Sequence, residues 1–119
     1  MNYNRIFGNE GELKVVEYLK AQHYIILQTQ FSLNQKIGEI DIIAKKENIL
    51  IFVEVKRRRK DYDILVSELV PYRKQKRIIM MSKYFCQKEK ILFSDHIIRY
   101  DIAFVLENKV LYYENAFTE

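Results

Sequence analysis

The stretch GEIDIIAKKENILIFVEVK, residues 38–56, decides how this chain folds. Two runs of aliphatic and β-branched residues, 38–45 and 49–56, flank a polar turn at Lys46, Glu47 and Asn48, the pattern of paired strands. The run ILIFVEV is almost wholly apolar, so the second strand is expected at the centre of a sheet, covered on both faces. Carboxylates nevertheless stand inside these runs. Glu39 and Asp41 are two apart and so project from one face, as do Glu54 and Lys56. If the turn holds an even number of residues, directly paired positions have an odd index sum, such as 41 with 52 or 54. Asp41 and Glu54 then become direct or diagonal neighbours.

Outward from this pair of strands, the remaining periodicity supplies helices and further strands. Residues 5–22 carry Leu13, Val15, Val16 and Leu19 at helical spacing, and Glu12 falls on the same inner stripe. Residues 24–31 read as a strand, followed by a polar loop at 32–36. Beyond the central strand, residues 57–69 read as a loop with a short helical piece. Pro71 suits the first turn of a helix over 70–88, where its missing N–H costs nothing. In that helix Ile78, Ile79, Met81, Tyr84 and Phe85 are expected to cover the sheet, with Lys74, Arg77 and Lys88 in water. Residues 97–106 and 110–113 are final strands, joined through Glu107, Asn108 and Lys109. The order α-β-β-β-α-β-β is that of an α/β fold, a mixed sheet flanked by helices.

Composition bounds the answer. With 119 residues, 49% of them hydrophobic and 30% charged, the chain reads as one domain over 1–119, which excludes disorder, collagen-like order and a multidomain enzyme. Cys86 is the only cysteine, so there is neither a disulfide framework nor a thiolate zinc site. No signal-like or membrane-length apolar segment is present, so a cytoplasmic protein without a membrane partner is expected. The net charge of +4 is unevenly spread: residues 56–77 hold nine Lys/Arg against three acids, and the rest of the chain is net acidic. Such a patch attracts a polyanion by releasing its counterions, which makes nucleic acid the leading partner class.

Two carboxylates ~4 Å apart repel by roughly 4 kcal/mol at an effective dielectric of about 20, so something must compensate for Asp41 and Glu54. Lys56 is one candidate. A divalent cation is the other, since Mg²⁺ accepts one or two carboxylates together with waters and phosphate oxygens. Asp41 and Glu54, with the Val55 carbonyl as a candidate further ligand, would hold Mg²⁺ or Mn²⁺ against a phosphodiester. Lys56 would position the attacking water or offset transition-state charge, Glu39 would support, and Glu12 would add an acidic ligand or orient the water. Arg57, Arg58, Arg59 and Lys60, with Arg73, Lys74, Gln75, Lys76 and Arg77, would grip flanking phosphates. The chemistry pointed to is metal-assisted phosphodiester hydrolysis, with DNA as the substrate of the leading reading and RNA not distinguished from it by these residues. The alternatives are a nucleic-acid-binding module that does not cleave and an interaction protein that docks its basic patch on an acidic partner. His23 and His96 have no partner at ligand spacing, and Arg99 with Asp101 reads as a structural pair.

The series G-x-x-G-E (residues 8–12), G-E-I-D-I-I-A (38–44), F-V-E-V-K-x-R (52–58), K-Q (Lys74, Gln75), R-Y-D (99–101) and N-A-F (115–117) resembles the YraN family of bacterial endonuclease-like proteins. The resemblance implies the restriction-endonuclease-like PD-(D/E)xK fold, shared with archaeal Holliday-junction resolvases, and hence branched or structured DNA as substrate. It also implies that Asp41 is the first metal acid, Glu54 and Lys56 the E-x-K pair, and Glu12 the helix acid of the resolvase branch. Ile40 stands where the superfamily motif has proline. Cutting two strands with so small a domain implies a homodimer.

Overall fold

The apolar periodicities resolve into two helices and five strands in a computed structural model that describes residues 10–34, 36–57, 70–107 and 109–119. In chain order these are α1 (Glu10–Ala21), β1 (Ile25–Asn34), β2 (Gly38–Lys46), β3 (Ile49–Arg57), α2 (Tyr72–Glu89), a 3-10 turn (Phe93–Asp95), β4 (Ile97–Val105) and β5 (Val110–Phe117). The expected α-β-β-β-α-β-β order is therefore observed. Residues 5–9 of the expected first helix, and most of the expected loop over 57–69, lie outside the described residues.

The five strands form one sheet in the order β1-β2-β3-β4-β5, with β3 and β4 parallel and the other pairs antiparallel. The most apolar strand is thus the middle one, as its composition demands. Lys46 belongs to β2, so the β2–β3 turn is the two residues Glu47 and Asn48, with Glu47 at φ 54°. An even turn gives pairs such as Ile42 with Val53, the parity that brings Asp41 beside Glu54.

Each face of the sheet has its own core. Against α1, Val15, Val16 and Leu19 pack on Ile42, Ala44, Ile51, Val53, Ala103 and Val105. Against α2, Ile78, Met81 and Phe85 pack on Ile40, Ile43, Leu50, Phe52, Tyr100 and Ile102. Tyr84, expected in this core, is half exposed because it sits about 100° round the helix from Phe85. Ser82 and Cys86 take the inner positions instead, and the buried Ser82 hydroxyl is satisfied by the Ile79 carbonyl (2.6 Å) and the Tyr100 hydroxyl (2.7 Å). Pro71 is the residue before α2 rather than within its first turn, and its carbonyl accepts the Gln75 N–H at 3.0 Å. No helix among the described residues is long and apolar enough to cross a membrane.

Two strands run further than their hydrophobic patterns suggest. β1 continues through Ser32 to Asn34 by pairing Ser32 with Glu39 and Asn34 with Gly38, where a loop was expected. β5 continues past Tyr113 to Phe117, which pairs with Tyr100. Asn115, at φ 53°, absorbs the irregularity, and its N–H donates to Asp101 Oδ1 at 2.8 Å. Asp101 is fully buried and also accepts from Arg99 Nη2 (2.9 Å) and the Tyr112 hydroxyl (2.5 Å), while Arg99 Nη2 donates to the Tyr24 hydroxyl (3.0 Å). Arg99 and Asp101 are thus the structural pair expected from their spacing, a polar clamp joining β4, β5 and the start of β1.

Removing one partner of such a pair strands a buried charge, at a cost of about 3–5 kcal/mol. Asp101→Ala is expected to lower the urea-unfolding free energy by that amount, and a loss below about 1 kcal/mol would show that the clamp does not hold β5.

Candidate metal-acid site at the split between two strands

The site arises where β2 leaves β3. Their ladder runs from the turn only as far as Ile42 paired with Val53. Beyond it the Val55 N–H donates to Asp41 Oδ2 at 2.7 Å, so a side chain takes a hydrogen bond that a continuing strand would have made. The strict alternation of β2 also breaks here: Ile40 packs in the core under α2, whereas Ile42 packs in the core under α1. On β1, Thr29 pairs with Ile42 and Phe31 with Ile40, which leaves Gln30, at φ 52°, level with Asp41. The Gln30 side chain donates to Glu12, which is buried in the first turn of α1. Gln30 is a site residue that no charge or motif pattern singles out; only its left-handed backbone marks it.

Glu54 is 7% exposed and lies on β3 beside Asp41. Its Oε1 accepts a hydrogen bond from Lys74 Nζ at 3.2 Å and lies 3.9 Å from Lys56 Nζ. No described N–H or hydroxyl reaches its other oxygen, Oε2, which is buried. Lys74, expected to stay in water, is instead half-buried on Glu54 because it sits one turn into α2 on the side facing β2 and β3. Lys56 shares the same oxygen from the end of β3. Two lysines from different elements thus meet one carboxylate.

The electrostatics follow from this crowding. Burial first, then the Glu54 charge, pushes the Asp41 carboxyl well above the usual carboxylate range, against the stabilising Val55 N–H. Burial first, then the Glu39 charge, pushes Glu12 up to about 8 in spite of Gln30. Burial lowers the Lys56 ammonium, with Lys74 adding to the effect and Glu54 opposing it. Burial also acts against the Lys74 charge, yet Glu54 more than offsets it and the group is raised. Among the described residues no three acidic, histidine or cysteine side chains form a ready-made metal cage. The donor set available is two carboxylates, and it fits a hard cation that keeps most of its waters. Asp41 and the open Oε2 of Glu54 could hold one.

The other expected residues fall into distinct places. Glu39 is exposed and acts on Glu12 through its charge. Val55, expected to offer its carbonyl, donates its N–H to Asp41. Arg57 lines a cleft of about 650 Å³ with Gly11 and Lys14 of α1, whereas Lys74 and Arg77 line a groove of about 270 Å³ on the side of α2. Among the described residues, the basic segment therefore lines two separate hollows rather than one patch. Gln75 spends its amide on the Val70 carbonyl (2.9 Å), Lys76 sits over the Tyr72 ring, and Arg73 is exposed. Arg58, Arg59 and Lys60 lie outside the described residues.

A carboxyl whose folded pKa is raised binds a proton more tightly in the folded than in the unfolded chain. Stability therefore falls as pH rises from about 4, the unfolded value, to about 8. Thermal melts in chelator are expected to show a Tm that declines over this window, with Asp41→Asn flattening the decline. At pH 8, Mn²⁺ should restore the wild-type Tm and leave Asp41→Asn unchanged. A wild-type Tm that is level or rising across the window would contradict this electrostatic reading.

Related sequences run along most of this chain. The chain is 40% identical over 104 residues to a UPF0102 protein of Caldicellulosiruptor saccharolyticus, covering 87% of this chain and 85% of the relative. It is 34% identical over 110 residues to one from Thermodesulfovibrio yellowstonii (92% and 94% covered), and 34% over 117 residues to one from Alkaliphilus metalliredigens (96% and 99%). The sequence model of Uncharacterised protein family UPF0102 matches residues 11–105, a span that takes in Glu12, Asp41, Glu54, Lys56 and Lys74. The chain belongs to the UPF0102 family, the family to which the YraN resemblance points.

Proposed function

We propose that this chain is a metal-dependent endonuclease of the restriction-endonuclease-like PD-(D/E)xK type, hydrolysing phosphodiester bonds in DNA, with branched or structured DNA as its preferred form. One observation carries the reading: Asp41 and Glu54 are held side by side at the split end of two strands, with lysines from two elements converging on one Glu54 oxygen. A buried carboxyl raised by a second acid beside it, as Asp41 is by Glu54, is the mark of a working site more often than of a structural one.

A Mg²⁺ or Mn²⁺ ion held by Asp41 and Glu54 would supply Lewis-acid polarisation of the phosphate and acidify a bound water. The protein's own groups account for the rest. Lys56 and Lys74, already beside Glu54, can turn their ammonium protons toward the non-bridging oxygens as negative charge builds on the phosphorus. Glu12, poised near neutrality by burial, suits a proton acceptor close to the attacking water. Arg57, in one hollow, and Arg77, in the other, would hold the strand through phosphates, without reading bases. A homodimer would supply a second site for a second strand.

A second reading has its own support. Lys74 and Lys56 already compensate Glu54, so the same site suits a nucleic-acid-binding module that does not cleave.

Purified protein with labelled branched, single-stranded and duplex DNA and Mg²⁺ or Mn²⁺ separates the two readings. The nuclease reading expects cleavage that falls by about 10²–10³-fold in Asp41→Ala and in Glu54→Ala, the scale for losing one electrostatic stabiliser. Variants that cleave as well as the wild type would sink the assignment. Salt-dependent binding with no products would favour the module.

A further inference from the structure

The groove on the α2 side of the acid pair has features that phosphate gripping alone does not require. One bank is the turn between β1 and β2, with Lys36, Ile37 and Gly38; the other is the flank of α2, with Lys74, Arg77, Ile78 and Met81. Lys36 is 20 residues before the basic segment in sequence, so only the fold brings it opposite Arg77. The Lys36 bank is pinned: the Asn34 carboxamide oxygen accepts the N–H groups of Lys36 (2.9 Å) and Ile37 (3.1 Å). Part-exposed Ile37 provides apolar surface between the cations, above the buried Ile78 and Met81, and Glu39 is the one acid among the described lining residues. At one end, Lys74 reaches from the groove wall to Glu54 itself.

Cations on both banks with apolar side chains between them suit one sugar–phosphate strand whose sugars or bases are free to touch the walls. A duplex keeps its bases stacked inside and meets a protein mainly through phosphates. We infer that an unpaired nucleic-acid strand runs through this groove, with Lys36 and Arg77 on its phosphates, and enters the acid pair past Lys74. This rests on the nuclease reading for what happens at Asp41 and Glu54, but the strand path itself does not require cleavage.

Binding without hydrolysis isolates the path. Fluorescence anisotropy in EDTA, across a salt series, compares a labelled single-stranded oligonucleotide with a blunt duplex of the same length. The wild type is expected to prefer the single strand. Lys36→Glu and Arg77→Glu, both at exposed positions, are each expected to weaken it by about tenfold and to lower the salt slope by about 0.7 or more. Lys20→Glu, on the exposed face of α1 away from the groove, should bind like the wild type. Single-strand affinity unchanged in both groove variants, or a wild type that prefers the duplex, would overturn the inference. If the wild type cleaves with Mn²⁺ while the groove variants bind normally, the path is wrong and the nuclease reading stands. If the groove variants lose binding while the wild type never cleaves, the path stands and the nuclease reading fails.

Discussion

The hydrogen bond from the Val55 N–H to Asp41 organises the functional end of this protein. A buried strand N–H must have a partner, and at the point where β2 parts from β3 the ladder no longer offers one. A carboxylate fills the vacancy at 2.7 Å, which holds the split open and puts a negative group beside Glu54. The acid pair is therefore a consequence of how the strands diverge. An amide or hydroxyl at position 41 could satisfy Val55 as well, so the charge itself is what satisfying the backbone leaves unexplained.

The rest of the fold keeps that split in place. Two separate cores press on the sheet from opposite faces, so the diverging strand ends are anchored by Ile42 and Val53 on one side and by Ile40 and Phe52 on the other. α1 delivers Glu12 from one face and α2 delivers Lys74 from the other. Farther along, the Arg99–Asp101 clamp fixes β5 and the start of β1 through Tyr112, Asn115 and Tyr24. The two polar clusters show different logics. At Asp101 every approaching group is a donor and the charge is fully matched, whereas Glu54 keeps one buried oxygen out of reach of described N–H and hydroxyl groups.

The fold was legible because residues 38–56 carry two independent signals, strand periodicity and turn parity, and both follow from local geometry. Placing Glu12 on an inner stripe needed only the helical period. What stayed hidden depended on departures from regularity. Nothing in TQFSLN announces that Gln30 adopts a left-handed backbone and turns toward Glu12. Lys74 looked like a solvated residue because a helical wheel cannot show which flank meets a carboxylate on a neighbouring strand. Glu114 and Asn115 masked the end of β5, since polar residues resemble a loop until Glu114 is seen to pair with Arg99 and the Asn115 N–H with Asp101. Lys36 could not be joined to the basic segment, because the groove exists only once the β1–β2 turn and α2 are side by side.

Paramagnetic broadening tests the central claim most directly, that Asp41 and Glu54 form a cation site. In ¹⁵N-labelled protein at pH 8, substoichiometric Mn²⁺ should first erase the amide signals of Ile42, Glu54 and Val55, and Glu54→Gln should abolish that selectivity while leaving the remaining spectrum dispersed. Broadening spread over exposed acids such as Glu17 and Glu89, with Val55 unaffected, would contradict the account.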